Sequence, residues 1–264
     1  MNTLFAVLCL WVAAIGPAHA GQRLVLFGGG GFPEAAVDRF MERAGGKDAR
    51  ILFVTWASGE PREEIDEFKD YLSPHKIPAM DIAPATTTIR EKRAEFLAML
   101  GRSSAVFFTG GDQSRIAEVL DRVQGLREAF KERYAAGVVF GGTSAGTAIM
   151  SEVMLTGEGD FSVIDGSTVG VRRGLGLLPA EMILDQHFIV RQRENRLFGL
   201  VLKNAGSLGL GVDEPCALVV DDGRWAQAFG PTYVMTAESS GRLKLSVGLL
   251  EDGARYDLKE RKRL

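Results

Sequence analysis

Two hydrophobic rhythms alternate along the first half of the chain. Uninterrupted apolar runs fall at 24–27, 51–54, 105–108 and 138–140, and a further candidate strand, broken by Asp81, at 79–82. Between them apolar residues recur every three or four positions, as at Val37, Phe40, Met41 and Ala44, and again at Ile65, Phe68 and Leu72. The first rhythm predicts buried strands and the second predicts helices with one greasy face; a charged stretch at 90–100 predicts a further helix. Strands buried on both sides and separated by amphipathic helices predict an α/β fold with a parallel sheet covered on both faces. In such sheets chemistry gathers where the strands end at their carboxyl termini.

Beyond residue 150 the pattern changes. A glycine-rich region at 157–176 leads to a short apolar run at 182–184, then to a helix with Arg191, Arg193 and Arg196 near its start. From 208 onward short strands dominate, at 210–212, 217–220 and 233–235, and the basic residues at 259–264 predict a solvated tail.

Composition narrows the class. With 264 residues, 46% of them hydrophobic, 31 basic and 34 acidic, the chain carries a net charge of -3, which is globular and gives no bias toward nucleic acid. The first twenty residues differ: 4–15 is apolar and uncharged, Gly16-Pro17 breaks it, and Ala18-His19-Ala20 supplies small residues for cleavage. They predict a signal peptide, removed to leave 21–264 as one α/β domain, periplasmic or secreted, with no membrane attachment afterwards. Cleavage leaves His75, His187 and a lone cysteine, Cys216, so no internal disulfide and no Cys/His metal cluster is expected. Cys216, within an apolar run, reads as a core residue.

The candidate chemistry begins where the run at 138–140 meets Gly141-Gly142-Thr143-Ser144-Ala145-Gly146-Thr147. A serine framed by glycines on a strand-to-helix turn is a nucleophile elbow. Such a serine needs a base. His75 lies in a polar turn, whereas His187 ends a strand beside Asp185 and Gln186, so His187 is the candidate. The acid that orients it is left among Glu214, Asp185 and Asp160; the order Ser144, His187, Glu214 departs from that of α/β-hydrolases. Two glycine loops complete the crevice. Gly28-Gly29-Gly30-Gly31 is no dinucleotide fingerprint, because Pro33 stands where the last glycine belongs, and reads as a turn passing close to the site. Gly110-Gly111-Asp112-Gln113 follows the strand at 105–108.

These motifs, with Asp185-Gln186-His187-Phe188 and Gly209-Leu210-Gly211-Val212-Asp213-Glu214, occur in an order and spacing that resembles the cyanophycinases, serine peptidases related to the aspartyl dipeptidases. The resemblance implies a three-layer flavodoxin-like sandwich with a mostly parallel sheet, similar to class I glutamine amidotransferases. It implies Ser144 as nucleophile, His187 as base, Glu214 as its orienting acid, and an oxyanion hole from the N–H groups of Gly111 and Ala145. Gln113, Asp185, Gln186, Arg191, Arg193 and Arg196 would line the substrate groove, where arginines pair well with carboxylates. No cofactor and no metal are implied, and a homodimer is. The implied substrate is cyanophycin, a poly-aspartate bearing arginine on each side chain, cut to β-Asp-Arg dipeptides. Thr147 departs from the alanine of many relatives. Export points also to other substrates: an aspartyl dipeptidase is the alternative enzyme, and a non-catalytic binding protein on the same fold would need a damaged elbow, base or oxyanion loop.

Overall fold

The computed structural model describes residues 21–75, 79–241 and 243–264. The signal peptide expected at 1–20 lies outside the described residues. The apolar runs become β1 (Arg23–Phe27), β2 (Arg50–Val54), β3 (Ala79–Ile82), β4 (Ala105–Phe108) and β5 (Val139–Thr143). They lie side by side in the order β1-β5-β4-β2-β3 and run parallel. β3, at the edge, is the half-exposed member.

Because successive side chains point to opposite faces, each strand feeds two cores. Leu24, Leu26, Leu52, Val54, Val106 and Phe108 enter one, and Val25, Phe27, Ile51, Phe53 and Phe107 enter the other. The second core is roofed by α1 (Glu34–Ala44) and α2 (Pro61–Leu72), which bury the faces expected of them. Phe68 of α2 stacks on Phe107 with ring centroids 3.8 Å apart; burying a ring of this size contributes about 2–3 kcal/mol. On the opposite face lie α3 (Arg93–Arg102), α4 (Gln113–Arg122) and α5 (Leu126–Ala135). Helices on both faces of this sheet give the flavodoxin-like α/β sandwich.

After β5 a four-residue helix, α6 (Ala145–Ala148), carries the chain out of the first sheet. β6 (Val153–Leu155), β7 (Val171–Arg173), β8 (Met182–Gln186), α7 (Glu194–Lys203) and β9 (Leu208–Val212) follow. β10 (Ala217–Asp221) returns to pair antiparallel with β1 and continues into β11 (Trp225–Phe229). β12 (Val234–Gly241) and β13 (Lys244–Leu250) form a hairpin; β14 (Arg255–Asp257) and β15 (Lys262–Arg263) close the chain. The result is a nine-stranded sheet, β15-β14-β11-β10-β1-β5-β4-β2-β3, and a six-stranded sheet, β13-β12-β9-β8-β6-β7. The parallel part is the half that the sequence rhythm foretold; the antiparallel half and the second sheet are built from the short late strands.

Two boundaries differ from expectation. The helix that follows His187 starts only at Glu194, so Arg191 and Arg193 precede it. The basic C-terminus is no loose tail: Lys262 and Arg263 pair with β14, and Arg263 forms an ion pair with Glu251.

Candidate active site

The carboxyl end of β1 lies between the two sheets and holds a backbone from each. Phe27 O accepts the N–H of Ser144 at 3.2 Å, and the next carbonyl, Gly28 O, accepts the N–H of His187 at 2.9 Å. Ser144 ends the β5 turn with φ 53° and ψ -114°, and His187 follows β8 with φ 50°. Positive φ is strained for residues with a Cβ and persists where neighbours over-determine it. The two side chains meet: Ser144 Oγ lies 2.7 Å from His187 Nε2. On its other side His187 Nδ1 hydrogen-bonds Glu214 Oε1.

Glu214 comes from the loop after β9, and its neighbour faces the other way. Asp213 is buried and its Oδ1 accepts the N–H of Ile189 at 2.9 Å and of Val190 at 3.0 Å, which fastens the loop that carries His187. The turn after β1 passes so close that side chains are excluded from it. A Cβ on Gly29 would sit 2.1 Å from His187 Cε1, and one on Gly30 would sit 2.3 Å from Glu214 Oε2. This is the close-passing turn read from the glycine run.

Above the serine lies a cleft of about 290 Å³ whose walls include Gly111, Glu64, Glu67 and Arg191. The loop at Gly111 is clamped on both flanks: Gly110 N–H donates to Glu64 Oε2 at 3.1 Å, and Asp112 N–H donates to Ala57 O at 3.0 Å. Gly111 itself has φ 123°, and a Cβ there would lie 2.2 Å from Ala57 O. Neither the Gly111 nor the Ala145 N–H finds an acceptor among the described residues. Gly111 lies in the turn from β4 to α4 and Ala145 at the turn from β5 to α6, and unspent backbone N–H groups are what an oxyanion site requires.

Burial pushes the His187 imidazole below its ordinary value; the hydrogen bond it makes to Glu214 pulls it back up, and the charge of Arg191 pushes it down again. The net direction favours the neutral ring, the form whose Nε2 can accept a proton. On the facing wall burial pushes the Glu64 carboxyl above the usual range, against the Gly110 N–H and with help from Glu67 and Glu63.

Of the six residues expected to line the groove, the structure brings Arg191 to the cleft wall. Asp185 and Arg196 instead bury each other, with Arg196 Nε donating to Asp185 Oδ2 at 2.6 Å and both about 1% exposed. Asp185 shares a face of β8 with Ile183, which packs against Leu197 and Val201 of α7, so its carboxylate meets Arg196 of that helix. Arg193 Nη1 donates to Gln186 O and Oε1, both at 2.8 Å. Gln113 Nε2 donates to Leu155 O at 2.8 Å and Thr156 O at 2.7 Å. None of these five side chains lines the cleft at the serine.

Among the other candidates, Asp160 is exposed and takes the Ser162 hydroxyl at 2.6 Å within its own loop. His75 pairs with Asp38 at 3.1 Å. Cys216 is fully buried, its thiol donates to Phe229 O at 3.0 Å, and burial pushes it up to about 11. Glu64 and Glu67 were not foreseen. They are three apart and share one edge of α2, a pattern visible in the sequence, but nothing local says that this edge faces the serine.

An α/β sandwich with a serine, an imidazole and a carboxylate in one hydrogen-bonded row at a strand-to-helix turn has the architecture of the serine-type hydrolases. The chain belongs to peptidase family S51, whose family profile matches residues 24–228. It is 32% identical over 211 residues to the cyanophycinase of Synechococcus elongatus, covering 78% of this chain and 65% of that one. To the cyanophycinase of Trichormus variabilis it is 35% identical over 196 residues, covering 72% of this chain and 64% of the other. The chain thus spans about 65% of the length of these curated relatives. The fold matches the crystal structure of a peptidase from an acI-B1 Actinobacterium with a TM-score of 0.67 and 20% identity, over 91% of this chain and 98% of that one.

Proposed function

We propose that this chain is an exported serine peptidase of the cyanophycinase type, acting on β-linked aspartyl-arginine material. The observation that carries the reading is the continuous row Ser144–His187–Glu214. Ser144 Oγ attacks the scissile carbonyl while His187 Nε2 takes its proton, and Glu214 holds the Nδ1–H and stabilises the imidazolium that forms. The developing oxyanion is received by the N–H groups of Ala145 and Gly111. His187 then returns the proton to the leaving amine, leaving an acyl-enzyme on Ser144. Water, activated by the same imidazole, releases the acid product and restores the serine.

The cleft supports a substrate carrying both signs of charge. Glu64 and Glu67 line it and would receive a guanidinium or ammonium group, and Arg191 lines it as well and would receive a free carboxylate. Export rests on the apolar segment at 4–15 and the small residues before Gly21.

A second enzymatic reading has one observation in its favour. A cleft of about 290 Å³ is at the small end for ligand sites and suits a dipeptide, as an exported aspartyl dipeptidase would require. Both readings are tested by incubating the processed protein with insoluble cyanophycin and, separately, with short aspartyl dipeptides, then identifying products by mass. Release of β-Asp-Arg from the polymer supports the first, cleavage of dipeptides alone supports the second, and no cleavage of either sinks both.

A further inference from the structure

We infer that Thr147 is a positioning residue for the nucleophile, its hydroxyl tying the Ser144 turn to the ends of β1 and β5. This rests on the serine-peptidase reading above. Thr147 is fully buried on α6, three residues past Ser144, and is absent from the cleft wall among the described residues. Its Oγ1 lies 2.7 Å from Phe27 O and 2.6 Å from Gly142 O. A hydroxyl carries one hydrogen, so these two carbonyls share it in a three-centre bond. One belongs to the end of β1 and the other to β5, the two strands that flank the serine turn.

The placement matters because Phe27 O also accepts the N–H of Ser144, at 3.2 Å. A single carbonyl therefore receives a donor from the nucleophile's own backbone and another from the first turn of the helix beyond it. α6 has only four residues and cannot hold its direction by its own hydrogen bonds. Yet the direction of its first turn sets where Ser144 Oγ points and where the Ala145 N–H aims. Ser144, at φ 53°, adopts a conformation that relaxes unless neighbours enforce it. The Thr147 hydroxyl enforces it from inside, without touching substrate. Removing the hydroxyl therefore slows attack and leaves substrate binding intact.

Three variants separate this role from plain core packing: T147V keeps the shape without the hydroxyl, T147A removes both, and T147S keeps the hydroxyl without the methyl. Two readouts are taken on each: labelling of Ser144 by a small fluorophosphonate, and kcat and KM on whichever of the two substrates above, cyanophycin or an aspartyl dipeptide, the parent protein cleaves. Thermal unfolding is followed alongside. The expected result is labelling and kcat slowed at least about tenfold in T147V and T147A, KM within about twofold, and T147S within about threefold of the parent. Wild-type rates in folded T147V or T147A overturn the inference, as does a T147S variant as slow as T147V, because the methyl would then hold the turn. Loss of the folded state in both T147V and T147A assigns the residue to stability alone and likewise overturns it. Absence of labelling in the parent protein is a separate failure, that of the serine-peptidase reading itself.

Discussion

Arg191 Nε lies 3.6 Å from Glu214 Oε1, the oxygen that also accepts His187 Nδ1. A half-exposed guanidinium thus shares a carboxylate with the buried imidazole, and its charge is felt at the base.

The first prediction concerns pH. Arg191⁺ disfavours the imidazolium and is one of the causes that hold His187 below its ordinary value. Removing that charge in Arg191→Met raises the imidazole, so protonation sets in at higher pH and the acid limb of kcat/KM moves upward; Arg191→Lys moves it less. A pH profile of the variants checks this, and an acid limb that stays put or moves down contradicts the assignment of His187 as base.

Removal of the reacting groups gives a ranked series. Ser144→Ala and His187→Ala each lower kcat by about 10⁴-fold or more, and Glu214→Gln lowers it by about 10²- to 10⁴-fold because the imidazole loses its orienting acceptor. His75→Ala leaves kcat unchanged, since that side chain pairs with Asp38 on the surface. Steady-state rates on one substrate establish the order; a silent His187→Ala would displace the base.

Strain at the nucleophile is measurable as stability. Ser144→Gly, equally inactive, melts higher than Ser144→Ala, because glycine accepts φ 53° without the cost of about 1–3 kcal/mol borne by a residue with a Cβ. Equal melting temperatures for the two variants would mean that the turn is unstrained.

Charge on the α2 wall sets substrate preference. Glu67→Gln and Glu64→Gln each raise KM about fivefold for substrates bearing arginine and leave KM for a neutral analogue unchanged, as expected for partly exposed ion pairs worth about 1 kcal/mol. Equal effects on both substrates would assign these carboxylates a structural role instead.

Asp185 and Arg196 behave in the opposite way. Asp185→Asn strips a buried guanidinium of its partner and destabilises the fold by about 3–5 kcal/mol. Chemical denaturation measures the loss. A variant of unchanged stability but raised KM would return Asp185 to the groove.

The contrast between these last two pairs shows what the sequence makes legible. The strands at 24–27, 51–54 and 105–108 and the buried faces of α1 and α2 follow from period alone, and the elbow follows from its glycines. His187 was singled out by the scarcity of histidine, and Glu214 stood among three acids until β9 placed it beside the ring. The acid at 185 and the arginine at 196 look like site residues because they flank His187 in a charged stretch; only the packing of α7 on β8 reveals that they neutralise each other. Glu64 and Glu67 escaped notice for the converse reason. They lie about eighty residues before the serine, and proximity across that distance is a property of packing rather than of any local pattern.

Phe27 O and Gly28 O are neighbours in the chain, yet one anchors a residue that follows β5 of the large sheet and the other a residue that follows β8 of the smaller. The spacing of the two anchors is thus set by one covalent link, whose Cα–Cα length is about 3.8 Å and hardly varies. Drawing the two backbones apart at this point means breaking one of these two hydrogen bonds. A chain reopened elsewhere by circular permutation keeps its reactive pair in register so long as that link survives, and one cut between residues 27 and 28 loses its gauge.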